Sequence, residues 1–434
     1  MKYQSYSDVI MFLYPEDNAS GCRNITLQVC DDCCLKCSYC YQIHKGHNYM
    51  TKETAKAIID LLFKMYDEDK PDAFINHTTH GIILDFIGGE PLMNVEIMDF
   101  ATEYFLDECL RRNHEWLYNF RTSFATNGIL YFEPKVQAYL KKFKNFISMT
   151  VSIDGPKEIH DICRIDHEGN GSFERASAAA HHYWEHYGKD VGGRDETKVT
   201  IAPENLPQLN TIINYFLNEG VTMINANPIY EVEWTVEQAK QYYHELHKLA
   251  DKMLANPEIQ CALFDEQQNQ PMRISDNTNW CGGDGHMLAF DPHGNAYPCL
   301  RYMESSLGGE VEPLIIGDTN GIYNTPESQE IKCKLCALTR SNQSTEECTH
   351  CPIASGCSWC SAWNFQQFKE IGKRSTNICW MRRATAIANV YYWNTKYRLE
   401  GREKRFPFFL EQKYALQLIT PEEYDELLLL SKGE

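Results

Sequence analysis

A chain of 434 residues with 43% hydrophobic content is long enough for two or three domains with buried cores. A formal net charge of −19 argues against a phosphate-backbone binder, which needs a basic face; it suits either a basic peptide partner or simple solubility. The 18 cysteines occur without a basic-then-apolar signal segment in MKYQSYSDVIMFLYPEDN and without any run of ~18 apolar residues, so the expected setting is a reducing cytoplasm, off the membrane, where clustered thiols bind metal.

In chain order, residues 1–24 read as an N-terminal extension. From 25 to 254 strand-like runs alternate with helical ones. The strands are ITLQV (25–29), GIILDFI (81–87), RTSFAT (121–126), ISMTVSI (147–153), TKVTIA (197–202) and TMINAN (222–227). Between the first two, Thr51 is a candidate N-cap, and Ala55, Ile58, Ile59 and Leu62 recur at helical spacing. Asn205 opens a similar stretch, with Leu209, Ile212, Ile213 and Phe216 on one face and Gly220 at its end. This alternation predicts an α/β class with a parallel sheet, open or closed into a barrel. Residues 255–278 read as a linker. Residues 279–380, rich in cysteine, glycine and proline, suit a small domain folded around metal, and 381–434 form a helical tail.

Four consecutive strand ends carry the polar and glycine residues that ligand sites need. The first runs into a cysteine loop, the second into Gly88-Gly89-Glu90-Pro91, the third into Thr126-Asn127-Gly128 and the fourth into Ser152-Ile153-Asp154-Gly155. Any one of these would pass as an ordinary turn. Four in register point to one shared site at the carboxyl edge of the sheet.

Five cysteines crowd VCDDCCLKCSYCY (29–41), where two interleaved triplets share the spacing C-x3-C-x2-C. One is Cys30, Cys34 and Cys37; the other is Cys33, Cys37 and Cys40. Three thiolates hold three irons of a cubane and leave the fourth open. The second triplet has Tyr39 before its last cysteine and Tyr41 after it, aromatic surfaces on which a base can pack, whereas the first has Lys36 at the corresponding place. The register Cys33, Cys37, Cys40 is therefore preferred, with Cys30 and Cys34 as small buried thiols.

On these residues the sequence resembles the radical S-adenosylmethionine (SAM) enzymes, whose loop is usually written CNLxCxYCY. The match covers Cys33, Leu35, Cys37, Tyr39, Cys40 and Tyr41. The resemblance implies a partial (β/α)6 barrel and a [4Fe-4S] cluster on the three cysteines. It also implies a SAM site at Tyr39, Gly88, Gly89, Glu90, Pro91, Asn127, Ser152, Asp154 and Arg164. Glu90 of GGEPL would accept from the methionyl amine, and Ser152 and Asp154 would lie near the ribose or carboxylate. Arg164 would pair with that carboxylate or form a structural salt bridge. The chemistry implied is transfer of an electron from the reduced cluster into the sulfonium, giving a 5′-deoxyadenosyl radical that abstracts hydrogen from an unactivated carbon.

Downstream, CGGDGHMLAFDPHGNAYPC (281–299) and CTHCPIASGCSWC (348–360), followed by Cys379, resemble the SPASM domain, which usually holds two further [4Fe-4S] clusters. The resemblance assigns Cys348, Cys351, Cys357 and Cys379 to one cluster and Cys281, Cys299 and Cys360 to the other. Cys357 and Cys360 are two residues apart where the pattern has three. Met287 occupies the place of a fourth ligand found in some relatives, so the second cluster has an open iron or takes Cys333 or Cys336. The spacing of Cys333, Cys336, Cys348 and Cys351 also permits a rival four-cysteine zinc site, which would strand Cys357, Cys360 and Cys379.

Enzymes of this type mostly modify peptides or proteins. The expected activity is maturation of a ribosomally made precursor peptide through a cysteine thioether, with an open iron holding the substrate thiolate. Carbon–carbon or carbon–oxygen crosslinking and epimerisation are other outcomes in the same class. The formylglycine-forming sulfatase maturases usually carry an Asp after the G-x4-C cysteine, where this chain has Leu300, which cannot accept a proton. A non-catalytic electron-transfer protein is the alternative outside enzymes, and it has no need of Glu90, Ser152 or Asp154. The expected partners are the precursor peptide and a reductant such as flavodoxin or ferredoxin. Only 32 residues precede Cys33, too few for a winged-helix leader binder, so leader recognition is expected on a separate protein, on the C-terminal helices, or nowhere.

Overall fold

The computed structural model describes residues 21–187, 196–278, 281, 283, 287–308 and 311–433. Most of the extension expected at 1–24 lies outside these residues, and position 22 is already strand. In chain order the strands are β1 (Cys22–Gln28), β2 (Gly81–Ile87), β3 (Phe120–Thr126), β4 (Ile147–Val151), β5 (Glu196–Ile201), β6 (Met223–Pro228), β7 (Gln260–Cys261), β8 (Met287–Phe290), β9 (Asn295–Tyr297), β10 (Gly317–Asp318) and β11 (Gly321–Ile322). All six strands expected from the alternation are present. They form two sheets, ordered β11-β10-β9-β8-β1-β2-β3-β4 and β5-β6-β7.

Contacts divide the chain into two compact units that cut across the expected linear order. The described residues of the first lie within Met1–Ile153, Arg164–Gly193 and Cys281–Ala337; those of the second lie within Asp154–Cys163, Arg194–Trp280 and Leu338–Glu434.

In the first unit β1 to β4 run parallel, joined by the helices Lys52–Glu68, Val95–Arg112 and Pro134–Lys142. The first of these helices starts at Thr51, whose side chain accepts from the Thr54 backbone N–H, and it buries Ala55, Ile58, Ile59 and Leu62 as their spacing predicts. One face of the sheet presents Ile25, Leu27, Ile82, Leu84, Phe86, Phe124, Ile147 and Met149 to Phe63, Phe105 and Trp116 of the core. Each such side chain contributes about 1.5–3 kcal/mol on burial. The opposite face is polar, with Thr26, Asp85, Ser123 and Ser148 paired strand to strand in one row. Parallel strands covered on both sides read as continuous apolar runs, so this alternation marks a face turned to a polar space. β8, taken from the cysteine-rich region, extends the sheet by pairing parallel to β1.

The second unit carries the parallel strands β5, β6 and β7. Its long helix Val236–Ala255 begins with a capping box between Thr235 and Gln238 and packs on the helix Cys379–Leu399. The tail helix Pro421–Lys432 packs on that same helix, and its Glu423 accepts from the Tyr243 hydroxyl at 2.5 Å. Among the described residues no helix is long and apolar enough to cross a membrane.

Candidate cluster and cofactor site

Where β1 ends, the chain enters the cysteine loop, and hydrogen bonds separate structural thiols from available ones. Cys30 is fully buried, and its Sγ donates to the Glu90 carbonyl at 3.2 Å. Burial pushes its thiol up to about 12, which suits a neutral structural group. The same stretch is tied to the β2 loop by Gly89 N–H to Cys30 O at 3.1 Å and Glu90 N–H to Asp32 O at 2.8 Å. Glycine is required here by space: a Cβ on Gly89 would meet Cys33 Cβ at 2.7 Å, and one on Gly88 would meet Cys30 Sγ at 2.9 Å. Asp32 stiffens the turn, accepting from Cys33 N–H at 2.8 Å, the Tyr49 hydroxyl at 2.7 Å and the His47 ring at 2.8 Å.

Glu90 is buried and engaged at both oxygens. Oε1 accepts from the Thr126 hydroxyl at 2.6 Å and Leu92 N–H at 3.1 Å, and Oε2 accepts from Asn127 N–H at 2.8 Å. Burial pushes its carboxyl up to about 7, against the pull of these donors. Pro91 follows at the start of a single helical turn (Pro91–Asn94), for which Glu90 is the cap. The Asn127 amide donates to Cys34 Sγ at 3.2 Å and lies 3.9 Å from Cys33 Sγ, while its Oδ1 accepts from Ile129 N–H at 3.0 Å. Gly128 follows in the left-handed region at φ 78°, allowing the chain to turn away.

Leu35 N–H donates to Cys33 Sγ at 3.4 Å. The Cys34 thiol bonded to it, with Lys45 nearby, holds Cys33 well below the usual thiol range despite its burial. Cys37 is pushed up to about 11 by burial, with the Arg164 cation pulling the other way. That guanidinium lies 5.4 Å from the centre of the Tyr39 ring, so Arg164, Tyr39 and Cys37 share one neighbourhood. Cys40 N–H donates to Cys37 O at 3.2 Å, closing the loop. Ser152 is held at the end of β4 by its N–H to Thr126 O at 2.8 Å. Asp154 opens the second unit, buried, with its N–H on His160 Nδ1 at 3.2 Å.

These residues fit an iron–sulfur cluster held by Cys33, Cys37 and Cys40: one thiolate is favoured by N–H and cationic neighbours, and glycines admit close backbone approach. Among the described residues no three His, Cys, Asp or Glu side chains converge as on a single metal ion. A cubane spreads its ligands over separate iron corners, so its thiolates stand further apart than those of one ion.

The downstream cysteines divide between the units. In the second, Cys357 is half-buried beside Arg374, whose Nη2 donates to Cys357 Sγ at 2.8 Å. Burial raises the Cys357 thiol, but Arg374, Arg382 and Arg340 outweigh it and bring it below the usual range. Cys379 is pushed up to about 12 by burial, with Cys357 and Cys348 adding to the shift, and Cys351 responds to the same two thiols. Cys348, Cys351, Cys357 and Cys379 are thus electrostatic neighbours, as one four-thiolate site requires. Among the described residues, two buried donors on the helix that follows Cys360, Asn364 Nδ2 and Trp363 Nε1, have no acceptor. Cys360 caps the helix Ser361–Phe368, accepting from Trp363 N–H at 3.4 Å. Cys281 and Cys299 belong to the first unit. So do Cys333 and Cys336, both exposed on the helix Pro326–Cys336.

No family model matches the chain. Among curated proteins it is 27% identical over 205 residues to an uncharacterized protein of Methanocaldococcus jannaschii, covering 47% of this chain and 62% of that one. It is 23% identical over 293 residues to the radical SAM cyclopropyl synthase TigE of Paramaledivibacter caminithermalis, covering 64% and 57%. The chain thus spans less than two thirds of the length of these two relatives. It is 24% identical over 361 residues to a cysteine-type anaerobic sulfatase-maturating enzyme of Clostridium perfringens, covering 76% and 86%. A solved structure, native anSMEcpe with bound AdoMet and Cp18Cys peptide, matches its fold with a TM-score of 0.61 at 17% identity, covering 87% of this chain and 99% of that one.

In its motifs and its fold, the chain is similar to radical SAM enzymes.

Two groups of residues in this chain were not singled out from sequence. The first is a hairpin after Arg164, bridged at Ile165 and Gly171, that holds the cluster loop from the other side. Lys36 N–H donates to Ile165 O at 2.9 Å, and His167 Nε2 lies 2.9 Å from Cys33 O. Its turn signal, Asp166-His167-Glu168-Gly169-Asn170, was legible, but its partner was not. The second is the arginine set at Cys357, for which the sequence carries no spacing rule.

Proposed function

We propose that this enzyme modifies a peptide or protein, generating a radical from SAM beside Cys33, Cys37 and Cys40. The observation that carries the reading is the joining of Glu90, Asn127 and the Cys33 loop at adjacent strand ends. When bound, the cluster and SAM would supply a low-potential electron and a hydrogen-abstracting radical. The chain's own part is to bind and orient. Glu90 offers an acceptor to the methionyl amine, Arg164 a cation to the carboxylate, Tyr39 an aromatic face to the adenine, and Ser152 a hydroxyl. Two further [4Fe-4S] clusters are proposed, one at Cys348, Cys351, Cys357 and Cys379, the other including Cys281 and Cys299, giving about 12 irons per chain.

The bond formed is a cysteine thioether in a short precursor peptide. Leu300 supports this reading, since it stands where formylglycine-forming enzymes usually have a proton acceptor. Formylglycine formation is the second reading, favoured by the longer match to the C. perfringens sulfatase-maturating enzyme. The test is anaerobic incubation of reduced protein with SAM and cysteine-bearing peptides, including a sulfatase-derived one. Loss of two hydrogens with consumption of the free thiol supports the thioether. Conversion of the cysteine to an aldehyde establishes the second reading, and no 5′-deoxyadenosine with any peptide refutes both.

A further inference from the structure

Burying a guanidinium costs several kcal/mol unless it is paired and hydrogen-bonded. Arg374 is 7% exposed and Arg340 is 4% exposed, and both donate to the cysteine loop. Arg374 Nη2 donates to Cys357 Sγ at 2.8 Å and to Cys357 O at 3.3 Å. Arg340 Nη1 donates to Ala354 O at 2.5 Å and to Cys357 O at 3.2 Å. Both guanidinium groups lie against one indole, 4.9 and 5.0 Å from the centre of the Trp359 ring. The backbone at Arg374 is fixed too: its N–H donates to Gln343 O at 3.0 Å, and Ser375 N–H donates to Asn364 Oδ1 at 2.8 Å.

We propose that Arg374, braced with Arg340 against Trp359, sets the reduction potential of the cluster held by Cys348, Cys351, Cys357 and Cys379. The inference rests on the ligand set of the preceding section and goes beyond it by assigning the arginines a role. Reduction adds a negative charge to a site already carrying four thiolates. A buried cation with a hydrogen bond to one ligand sulfur stabilises the reduced form more than the oxidised form and raises the potential. Arg374 is a positioning and tuning residue in this scheme and touches no substrate.

The test is a redox titration of the anaerobic holoenzyme followed by electron paramagnetic resonance, comparing the wild type with Arg374→Lys and Arg374→Gln. The glutamine variant should move one cluster's midpoint to a more negative potential, leave the other two in place and keep about 12 irons per chain. The lysine variant, which keeps the charge, should lie between it and the wild type. Arg340→Gln serves if Arg374→Gln does not fold, and should shift the same midpoint less. An unchanged midpoint with iron retained overturns the proposal. So does loss of about four irons in both Arg374 variants, which would make the residue a structural clamp. Iron content of Cys379→Ala separates the two levels: if it matches the wild type, the ligand set itself is wrong.

Discussion

Asn127 presents its backbone N–H to Glu90 Oε2 at 2.8 Å, the one hydrogen bond to that oxygen among the described residues, whereas Oε1 receives two. A carboxylate has about four acceptor positions, so Oε2 keeps room for a further donor such as an amine. Glu90→Gln turns one end of this group into a donor facing donors. A hydrogen bond to a charged group is worth about 1.5–3 kcal/mol, so SAM affinity should fall roughly 10- to 100-fold. Equilibrium binding under anaerobic conditions measures this, and unchanged affinity would remove Glu90 from the cofactor site.

Gly89 tests the fit between the two loops. In Gly89→Ala the added carbon would collide with the Asp32 carbonyl and approach Cys33 Cβ at 2.7 Å, and both belong to the cluster loop. Overpacking of this kind costs typically about 1–3 kcal/mol. The expected result is loss of about four irons per chain, with the remaining clusters intact. Full iron content and normal 5′-deoxyadenosine formation would show that the loop yields without cost.

The two cysteine registers differ at Cys30. Its sulfur donates to backbone and is closed off, whereas Cys33 accepts from Leu35 N–H. Cys30→Ala should keep all iron and SAM cleavage at a stability cost of about 1 kcal/mol for one lost hydrogen bond. Cys33→Ala should lose about four irons and all cleavage. The reverse pattern would restore the register Cys30, Cys34, Cys37.

How much of this was legible follows from range. Thr51 and the 3.6-residue spacing behind it specify a helix within a few residues, and the strand ends at Gly88, Asn127 and Ser152 carry local turn chemistry. Tyr39 against Lys36 is the local contrast on which the preferred cysteine register rests. What could not be read depends on contacts distant in sequence. β8 is four residues long and pairs with a strand more than two hundred positions earlier, so no local pattern announces it. Arg374 and Cys357 meet through a fold of the loop, and a lone arginine in sequence is indistinguishable from a solvated one. The same holds for the join of His167 to the Cys33 carbonyl.

Glu245 in the second unit supplies a pH prediction independent of any cluster. Burial pushes its carboxyl up, but Lys248 at 2.7 Å and two Asn210 donors at 2.9 and 2.8 Å bring it below its ordinary value of 4.5. A depressed carboxyl contributes stability that is fully present above the ordinary value and is lost as pH falls through the folded one. Glu245→Gln should therefore be less stable than the wild type at pH 7 by about 1–3 kcal/mol, the worth of charge-assisted hydrogen bonds. The gap should close in acid below the ordinary carboxyl range. Urea unfolding across this range measures it, and a gap independent of pH would contradict the assignment.

The polar face of the first sheet makes the last prediction. Asp85 sits mid-strand in β2 between Thr26 and Ser123, accepting from the Thr26 hydroxyl at 3.4 Å. It also acts electrostatically on Tyr41, whose hydroxyl burial holds well above the usual range and whose ring lies 4.8 Å from the Arg301 guanidinium. A carboxylate on a parallel strand has no packing role, since its alternate neighbours Leu84 and Phe86 already fill the core. If this face receives the substrate, Asp85→Asn should leave SAM cleavage without peptide unchanged. The same variant should lower kcat/KM for peptide modification roughly 10- to 100-fold, the value of one charged hydrogen bond of about 1.5–3 kcal/mol. Parallel assays of 5′-deoxyadenosine and modified peptide separate the two readings. An equal fall in both would place Asp85 in support of the cofactor site, and no fall in either would turn the substrate away from this face.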